Sequence, residues 1–342
     1  METSGMHPER ELVAPVLLCG PDGRFNPQAT GWSRHPLHLC NLPDSLKRKK
    51  KWNYWAVTSE ELLFSATIAD MERLQSGGAY LFDRRARRII EKGVRCPPGT
   101  IAIPETVAGD MVIDHEAMRV ALTDEGAGTR IRVDSGSFGG LGLEANILVE
   151  RPEGHETLNV VIPWTDVETQ FTSKQNTLPA SGYVKLGDEL FEFGRSSFGC
   201  LDFGRGVWPL HTIWNWGAAS GVQAGHTIGL NLGGQWTDGT GMTENGLCID
   251  GRLTKISESL AIEYDRTAWL KPWRVRTPIT DRINLLFEPE FERFSQSGNR
   301  NSWFTEVHQM FGRYSGSIRS DEGGPIEVRE LFGWLEEHEA RW

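Results

Sequence analysis

The chain has 342 residues and a formal net charge of −10 at pH 7, with hydrophobic residues at 39% and charged residues at 24%. These proportions are typical of a globular protein and exclude a disordered chain. The acidic balance excludes general affinity for nucleic acid or for an anionic membrane, because both attract basic surfaces.

The 38 glycines and 17 prolines predict many turns and short strands. No segment approaches the roughly 20 apolar residues that cross a bilayer, and the N-terminal region lacks a signal-peptide pattern. The five cysteines include no CxxC pair, which predicts reduced thiols rather than disulfides or a zinc site. We therefore expect a cytoplasmic protein with no integral membrane segment, no metal and no cofactor.

Two basic runs, at 47–51 and 84–88, come early in the chain. Charge runs of this kind are usually solvated, and the second run is expected at the bend of a hairpin. Helix signals are confined to short pieces at 44–51, 84–92 and 329–338.

From Trp52 onward the apolar residues alternate with period two, which predicts antiparallel strands. The alternating segments are 52–70, 118–135, 143–164, 183–193, 226–236, 247–256, 260–266, 274–289, 306–319 and 325–331. Tight turns are predicted at Gly187-Asp188 and at Asp250-Gly251, the stronger signal because a type I′ turn needs positive φ at both positions.

The predicted fold is all-β, with two tandem antiparallel β-barrel or β-sandwich domains and few short helices. The segment 172–181 is polar and contains a proline, which favours it as the connector between two domains. The predicted domains are therefore residues 1–171 and residues 172–342.

The segment 198–221 has the most unusual composition, since it combines Asp202, Arg205, three tryptophans and Asn215. On a strand, Trp214 and Trp216 share one face. Three tryptophans so close together either fill a core or line a cavity with polar groups inside. Asp202 and Arg205 are equally well explained as a structural ion pair that holds a turn.

The next segment, 228–245, places amides and carboxylates beside glycines, which leaves room for another group to approach. Glu288 interrupts an apolar run, and a buried carboxylate there would be paired or have a raised pKa. The candidate catalytic residues are Asp202, Glu244, Glu288 and His308. The candidate ligand-binding residues are Arg205, Trp208, Trp214, Trp216, Asn231, Trp236, Asn245, Trp273 and Arg274.

Several motifs carry a family resemblance. They are TSKQNTLPASG (172–182), LDFGRGVWP (201–209), TIWNWGAASG (212–221), GLNLGGQWTDGTGMTEN (229–245), IDGRLTKI (249–256), LKPWRV (270–275), HQMFGRYSG (308–316) and FGWLEEHEARW (332–342). They resemble the domain-of-unknown-function 2804 family over nearly the whole chain. In its pattern of strands the chain is also more distantly similar to lipocalin-like tandem-barrel proteins, such as the carotenoid 1,2-hydratases and fungal Diels–Alderase-type cyclases. That second likeness implies a tandem-barrel fold.

Three functions fit these residues. The first is acid-catalysed hydratase, cyclase or isomerase chemistry on an apolar, unsaturated small molecule within a barrel cavity, with cation–π stabilisation by tryptophan. The second is a non-catalytic lipid or metabolite carrier that uses the same cavity. The third is a carbohydrate-binding or glycoside-acting protein, in which tryptophans stack on sugars and two carboxylates catalyse hydrolysis. The expected partner is a small, apolar molecule, and the sequence leaves any oligomeric partner open.

Overall fold

The computed structural model describes residues 9–342, and strands dominate it. Within those residues, helix is limited to one 3-10 turn at Pro27–Ala29. The all-β prediction is therefore confirmed. No helix in the described part of the chain is long and apolar enough to cross a membrane.

The first half of the chain forms one curled sheet of thirteen strands and a small two-stranded parallel sheet made by β1 and β3. The strands are β1 (Val16–Leu17), β2 (Trp32–Ser33), β3 (His38–Leu39), β4 (Lys49–Thr58), β5 (Leu62–Asp70), β6 (Gln75–Asp83), β7 (Arg88–Cys96), β8 (Met111–His115), β9 (Met118–Asp124), β10 (Gly128–Phe138), β11 (Leu141–Glu150), β12 (Leu158–Pro163), β13 (Thr169–Leu186), β14 (Glu189–Phe193) and β15 (Phe198–Val207). The main path is β7-β6-β5-β4-β15-β13-β11-β10-β9-β8.

The second half forms a nine-stranded antiparallel sheet in the order β19-β18-β17-β16-β24-β23-β22-β21-β20. Its strands are β16 (His211–Gln223), β17 (His226–Gly234), β18 (Asn245–Ile249), β19 (Arg252–Ile256), β20 (Ala261–Glu263), β21 (Trp273–Arg276), β22 (Ile283–Gly298), β23 (Phe304–Ile318) and β24 (Ile326–Arg341). Both sheets are barrel-like, as the tandem-barrel prediction requires.

Each sheet packs an apolar core against its inner face, in keeping with the alternation of the strands. Leu201 and Phe203 belong to the first core, and Leu230 and Leu335 belong to the second. A third apolar cluster joins the outer faces of the two sheets, with Tyr80 and Phe82 packed beside Trp216, Phe311 and Trp334. The outer faces of the two sheets therefore meet.

The three predicted helices at 44–51, 84–92 and 329–338 are wrong. Residues 44–48 and 84–87 form turns, bends or irregular backbone, and in the remaining residues strand pairing overrides local propensity. Lys49–Thr58 pairs with β15, Arg88–Cys96 pairs with β6, and Ile326–Arg341 pairs with β16 and β23. The basic run at 47–51 is not simply solvated surface. Lys50 is buried, and its ammonium lies 4.4 Å from the centroid of the Trp342 ring.

The predicted turns are confirmed. Leu186 pairs with Glu189 across Gly187-Asp188, and Ile249 pairs with Arg252 across Asp250-Gly251, where φ is 51° and 77°. The basic run at 84–88 lies at the β6–β7 hairpin bend, as expected.

The first sheet ends at Val207 and the second begins at His211. The domain boundary predicted at residues 171 and 172 lies inside β13, a strand of the first sheet. The first eight residues of the predicted domain 1–171 lie outside the described residues. The segment 199–245, singled out for its composition, therefore spans both sheets instead of one barrel.

Candidate functional site

A cavity of about 710 Å³ lies between the outer faces of the two sheets. The first sheet contributes Tyr54 and Asp202, while the second contributes Trp214, Trp216 and Glu336. The cavity expected within a barrel is thus an intersheet cavity, because the interior of each sheet is filled by its own apolar core.

Three charged side chains meet on the wall of this cavity. Lys174 Nζ lies 3.0 Å from Asp202 Oδ1 and 3.3 Å from Glu244 Oε2. Lys174 and Asp202 are directly opposed on β13 and β15, and Thr172 donates a further hydrogen bond to Asp202 at 3.2 Å. One ammonium thus faces two carboxylates, which leaves the trio with a surplus negative charge when both are ionised.

Burial and the neighbouring charges shift the pKa values of Lys174 and Glu244. Although burial alone would lower the pKa of Lys174, the two carboxylates hold that pKa above its ordinary value, so the ammonium stays charged. Burial raises the pKa of Glu244, and Lys174 offsets part of that rise. Glu244 also accepts a 2.5 Å hydrogen bond from the indole of Trp236.

Glu244 explains why the sequence has glycine at Gly233. A Cβ at Gly233 would lie 2.2 Å from Glu244 Oε1, so only glycine lets the carboxylate pack there. The room that the glycine-rich segment leaves at this position is filled by the protein's own carboxylate.

Glu336 is a second acidic group on the cavity wall. It lies on β24 directly opposite Trp216 of β16 and Gln309 of β23. Burial raises the pKa of Glu336 to about 7, with opposing effects from Arg293 and Lys174 and a further increase from Asp202. A carboxylic acid in this state can donate a proton near neutral pH.

A chain of hydrogen bonds leads to Glu336 across both sheets. Tyr54 Oη and Tyr80 Oη are 2.6 Å apart, and Tyr80 donates to Gln309 Oε1 at 3.3 Å. Gln309 Nε2 then donates to Glu336 Oε2 at 2.9 Å. The Arg293 guanidinium lies 4.6 Å from the centroid of the Tyr80 ring.

One end of the cavity is walled by tryptophans that meet at Trp208. Its ring stacks in parallel on Trp236, with centroids 5.5 Å apart, and also contacts Trp52, Trp164 and Trp214. The indole of Trp208 donates to Gln170 at 2.8 Å. This cluster forms an apolar wall, and Trp236 links it to the acidic trio through its hydrogen bond to Glu244.

Six of the residues predicted from sequence line this cavity: Asp202, Trp208, Trp214, Trp216, Trp236 and Glu244. The structure therefore brings together two of the candidate acids and four of the candidate aromatic residues.

Three other candidates hold the framework around the cavity. Asn231 accepts the Trp216 indole hydrogen bond at 3.0 Å, and Asn245 bonds the backbone of Gly233. Arg205 is fully buried on the opposite face of β15 and donates to Asn53 and to backbone carbonyls such as that of Pro104. The alternative of an ion pair between Asp202 and Arg205 is wrong, since these side chains point to opposite faces.

The remaining four candidates lie away from the cavity. Glu288 and Arg274 are exposed on the second sheet, so the condition of burial that was attached to Glu288 is not met. Trp273 is buried in the inner core and stacks on Tyr264 at 4.0 Å. His308 is half-buried, bonds Glu292 at 2.7 Å and stacks on Trp269, whose ring packs against the inner core of the second sheet.

Lys174, Glu336 and Gln309 line the cavity but are not among the residues predicted from the sequence. Lys174 lies in the polar segment read as a connector, and Glu336 lies in a segment read as a helix. A signal for Glu336 was present, because Trp334, Glu336 and His338 alternate with period two and share one face of a strand.

The sequence profile of the family described as "Domain of unknown function (DUF2804)" matches residues 9–342. The chain belongs to this family. No curated protein matches the sequence.

Solved structures resemble the chain at low sequence identity. A protein assigned as AttH from Nitrosomonas europaea is 12% identical, with a TM-score of 0.51 over 85% of this chain and 92% of that chain. Kievitone hydratase from Nectria haematococca is 9% identical, with a TM-score of 0.49 over 86% of this chain and 88% of that chain. CghA, crystallised with Sch210972, is 8% identical, with a TM-score of 0.40 over 86% of this chain and 88% of that chain. The similarity to the Nitrosomonas europaea protein, at 12% identity, concerns the fold alone.

Proposed function

We propose that the chain is an enzyme that protonates a double bond of a largely apolar small molecule in the intersheet cavity. The observation that carries this proposal is the position of Glu336, an acid with a pKa of about 7, in a tryptophan-walled cavity opposite the Lys174–Asp202–Glu244 trio. Pockets with apolar walls and a few convergent polar groups are typical of small-molecule sites.

In the proposed reaction, Glu336 transfers its proton to one carbon of the double bond, whose electron pair forms the new C–H bond. The neighbouring carbon becomes a cation, and the surplus negative charge of the trio stabilises it. Aromatic faces of the cavity wall, such as that of Trp208, add to this stabilisation.

The cation is then quenched in one of three ways. Attack by water gives hydration, with the water proton returning to Glu336. Loss of a different proton gives an isomer. Attack by a second double bond of the same molecule closes a ring and moves the positive charge to a new carbon, which then loses a proton to give the neutral cyclic product. Each route regenerates neutral Glu336 once the departing proton returns to it, so no redox partner is needed.

Deuterium transfer tests this proposal. The protein is incubated in D₂O with the molecules extracted from its native preparation and, separately, with farnesol and linoleic acid, and the products are analysed by mass spectrometry. We expect carbon-bound deuterium in at least one of them. A carrier would bind such a molecule and release it without deuterium, and a carbohydrate-binding protein would respond to maltotriose in tryptophan fluorescence and to neither lipid.

A further inference from the structure

The two oxygens of Glu336 are in different environments. Oε2 accepts the 2.9 Å hydrogen bond from Gln309. Oε1 makes no hydrogen bond of ordinary geometry among residues 9–342, although the Trp214 indole is close enough to lower the pKa of the carboxyl group, and Oε1 is not sealed away from the cavity that Glu336 lines. The carboxyl group is therefore anchored at one oxygen and open at the other.

The orientation of the Gln309 amide follows from its neighbours. Its Oε1 lies 3.3 Å from the Tyr80 hydroxyl and 3.5 Å from Arg293 Nη1, both of which are donors. Its Nε2 faces a carboxylate oxygen of Glu336. A flipped amide would oppose acceptor to acceptor and donor to donor, so one orientation satisfies all three neighbours.

Tyr54 extends this directional chain. Because the Tyr80 proton is used toward Gln309, the 2.6 Å contact between the two tyrosines has Tyr54 as its donor. Burial raises the pKa values of both tyrosines, that of Tyr80 to about 12, so both hydroxyls keep their protons near neutral pH.

An amide NH₂ group can only donate. When Glu336 is protonated, the oxygen facing Gln309 Nε2 must therefore be the accepting, carbonyl-like oxygen. We propose that Gln309, held by Tyr80 and Tyr54, is a positioning residue that keeps the acidic proton of Glu336 on Oε1, the oxygen open to the cavity. This inference rests on the proposed function for its chemical role, and it identifies the oxygen that delivers the proton.

Other groups also act on Glu336. Arg293 of β22, Lys174 of β13 and the Trp214 indole of β16 favour its ionised form, whereas Asp202 of β15 disfavours it. On the same strand, His338 is neutral near pH 7 because burial lowers its pKa to about 3. The Gln309 hydrogen bond adds to the groups that favour the carboxylate, so its removal should raise the titration midpoint of Glu336.

Infrared spectroscopy of the ligand-free protein measures this directly. The carbonyl band of the protonated acid is followed against pH, and the band that disappears in Glu336→Gln is assigned to Glu336. In Gln309→Met we expect the midpoint to rise by about one to two pH units, the shift that corresponds to one charge-assisted hydrogen bond. Tyr80→Phe leaves Gln309 in place and should give a smaller rise.

Gln296→Met is the matched control, because Gln296 makes a 2.7 Å hydrogen bond to Glu306 on the exposed part of the same sheet. It should leave the Glu336 midpoint unchanged. An unchanged or lowered midpoint in Gln309→Met would overturn the proposal. If that variant does not fold, Tyr80→Phe decides in the same way.

The two proposals can fail separately. The infrared titration needs no turnover, so a shift in Gln309→Met without any deuterium transfer in the wild type supports the positioning and contradicts the enzyme. Deuterium transfer at the wild-type rate in a folded Gln309→Met, with an unshifted midpoint, keeps the enzyme and removes the positioning role.

Discussion

Trp216 and Glu336 are directly opposed on neighbouring strands, and both side chains face the intersheet cavity. Gln309 is opposed to Glu336 on the other side, so the acid is the middle member of a three-strand row. This register fixes the carboxyl between an aromatic wall and its hydrogen-bond donor. The acid is thus built into paired strands instead of a loop, which favours a fixed position.

Lys174→Met should destabilise the protein by about 3–5 kcal/mol, because it leaves two carboxylates, Asp202 and Glu244, buried without their ammonium partner. Urea unfolding at pH 7 measures this. Lys185→Met on the exposed part of the same strand is the control and should change the free energy of unfolding by less than about 0.5 kcal/mol. Equal stability of the two variants would contradict the buried trio.

Gly78→Val should weaken ligand binding without destabilising the fold. Gly78 lines the cavity, and a Cβ there would meet nothing closer than 3.8 Å. The neighbouring Gly77 faces the inner core, where a Cβ would already contact Ile113 and Val120 at 3.4 Å. Gly77→Val should therefore cost about 1–3 kcal/mol of stability through overpacking. Tryptophan fluorescence titration with farnesol measures the loss of binding, and thermal melts measure the loss of stability. Wild-type binding of farnesol by Gly78→Val would argue against this cavity as the ligand site.

Glu336→Gln should become more stable relative to the wild type as the pH rises. The pKa of Glu336 is raised from 4.5 to about 7 by burial. Its contribution to stability is therefore fully present below pH 4.5 and is lost as the pH rises through 7. The difference in unfolding free energy between the two proteins should change by up to about 3 kcal/mol between pH 4.5 and pH 8. A difference that is constant with pH would mean that Glu336 titrates normally.

The strands and hairpins follow closely from the sequence, because alternation and turn residues such as Asp250-Gly251 are local signals. The site follows only in part. Asp202 and Glu244 are predictable site residues because they lie beside tryptophans in the sequence. Lys174 is not, because it lies in the polar run 172–181, and a polar run normally indicates a loop. In the folded chain that run is a buried strand, and its Lys174 and Asn176 side chains reach Glu244 and Leu230 of the second half of the chain.

Glu336 was missed for a different reason. The segment 332–342 contains good helix formers, and the local propensity concealed its period of two. Its strand character depends on pairing with β16 and β23, which are distant in sequence. The intersheet position of the cavity likewise depends on the contact between the outer faces of the two sheets, which no local pattern encodes.

The most direct test of the proposed acid compares deuterium transfer by the wild type, Glu336→Gln and Glu339→Gln. Glu339 lies on the same strand, where it is half-buried and bonds His211 at 2.8 Å. The three proteins are incubated in D₂O with the molecule that the wild type labels, after matched folding and binding are established by circular dichroism and tryptophan fluorescence. We predict at least about a hundredfold loss of labelling in Glu336→Gln and an unchanged rate in Glu339→Gln. Labelling by Glu336→Gln at the wild-type rate would contradict the account.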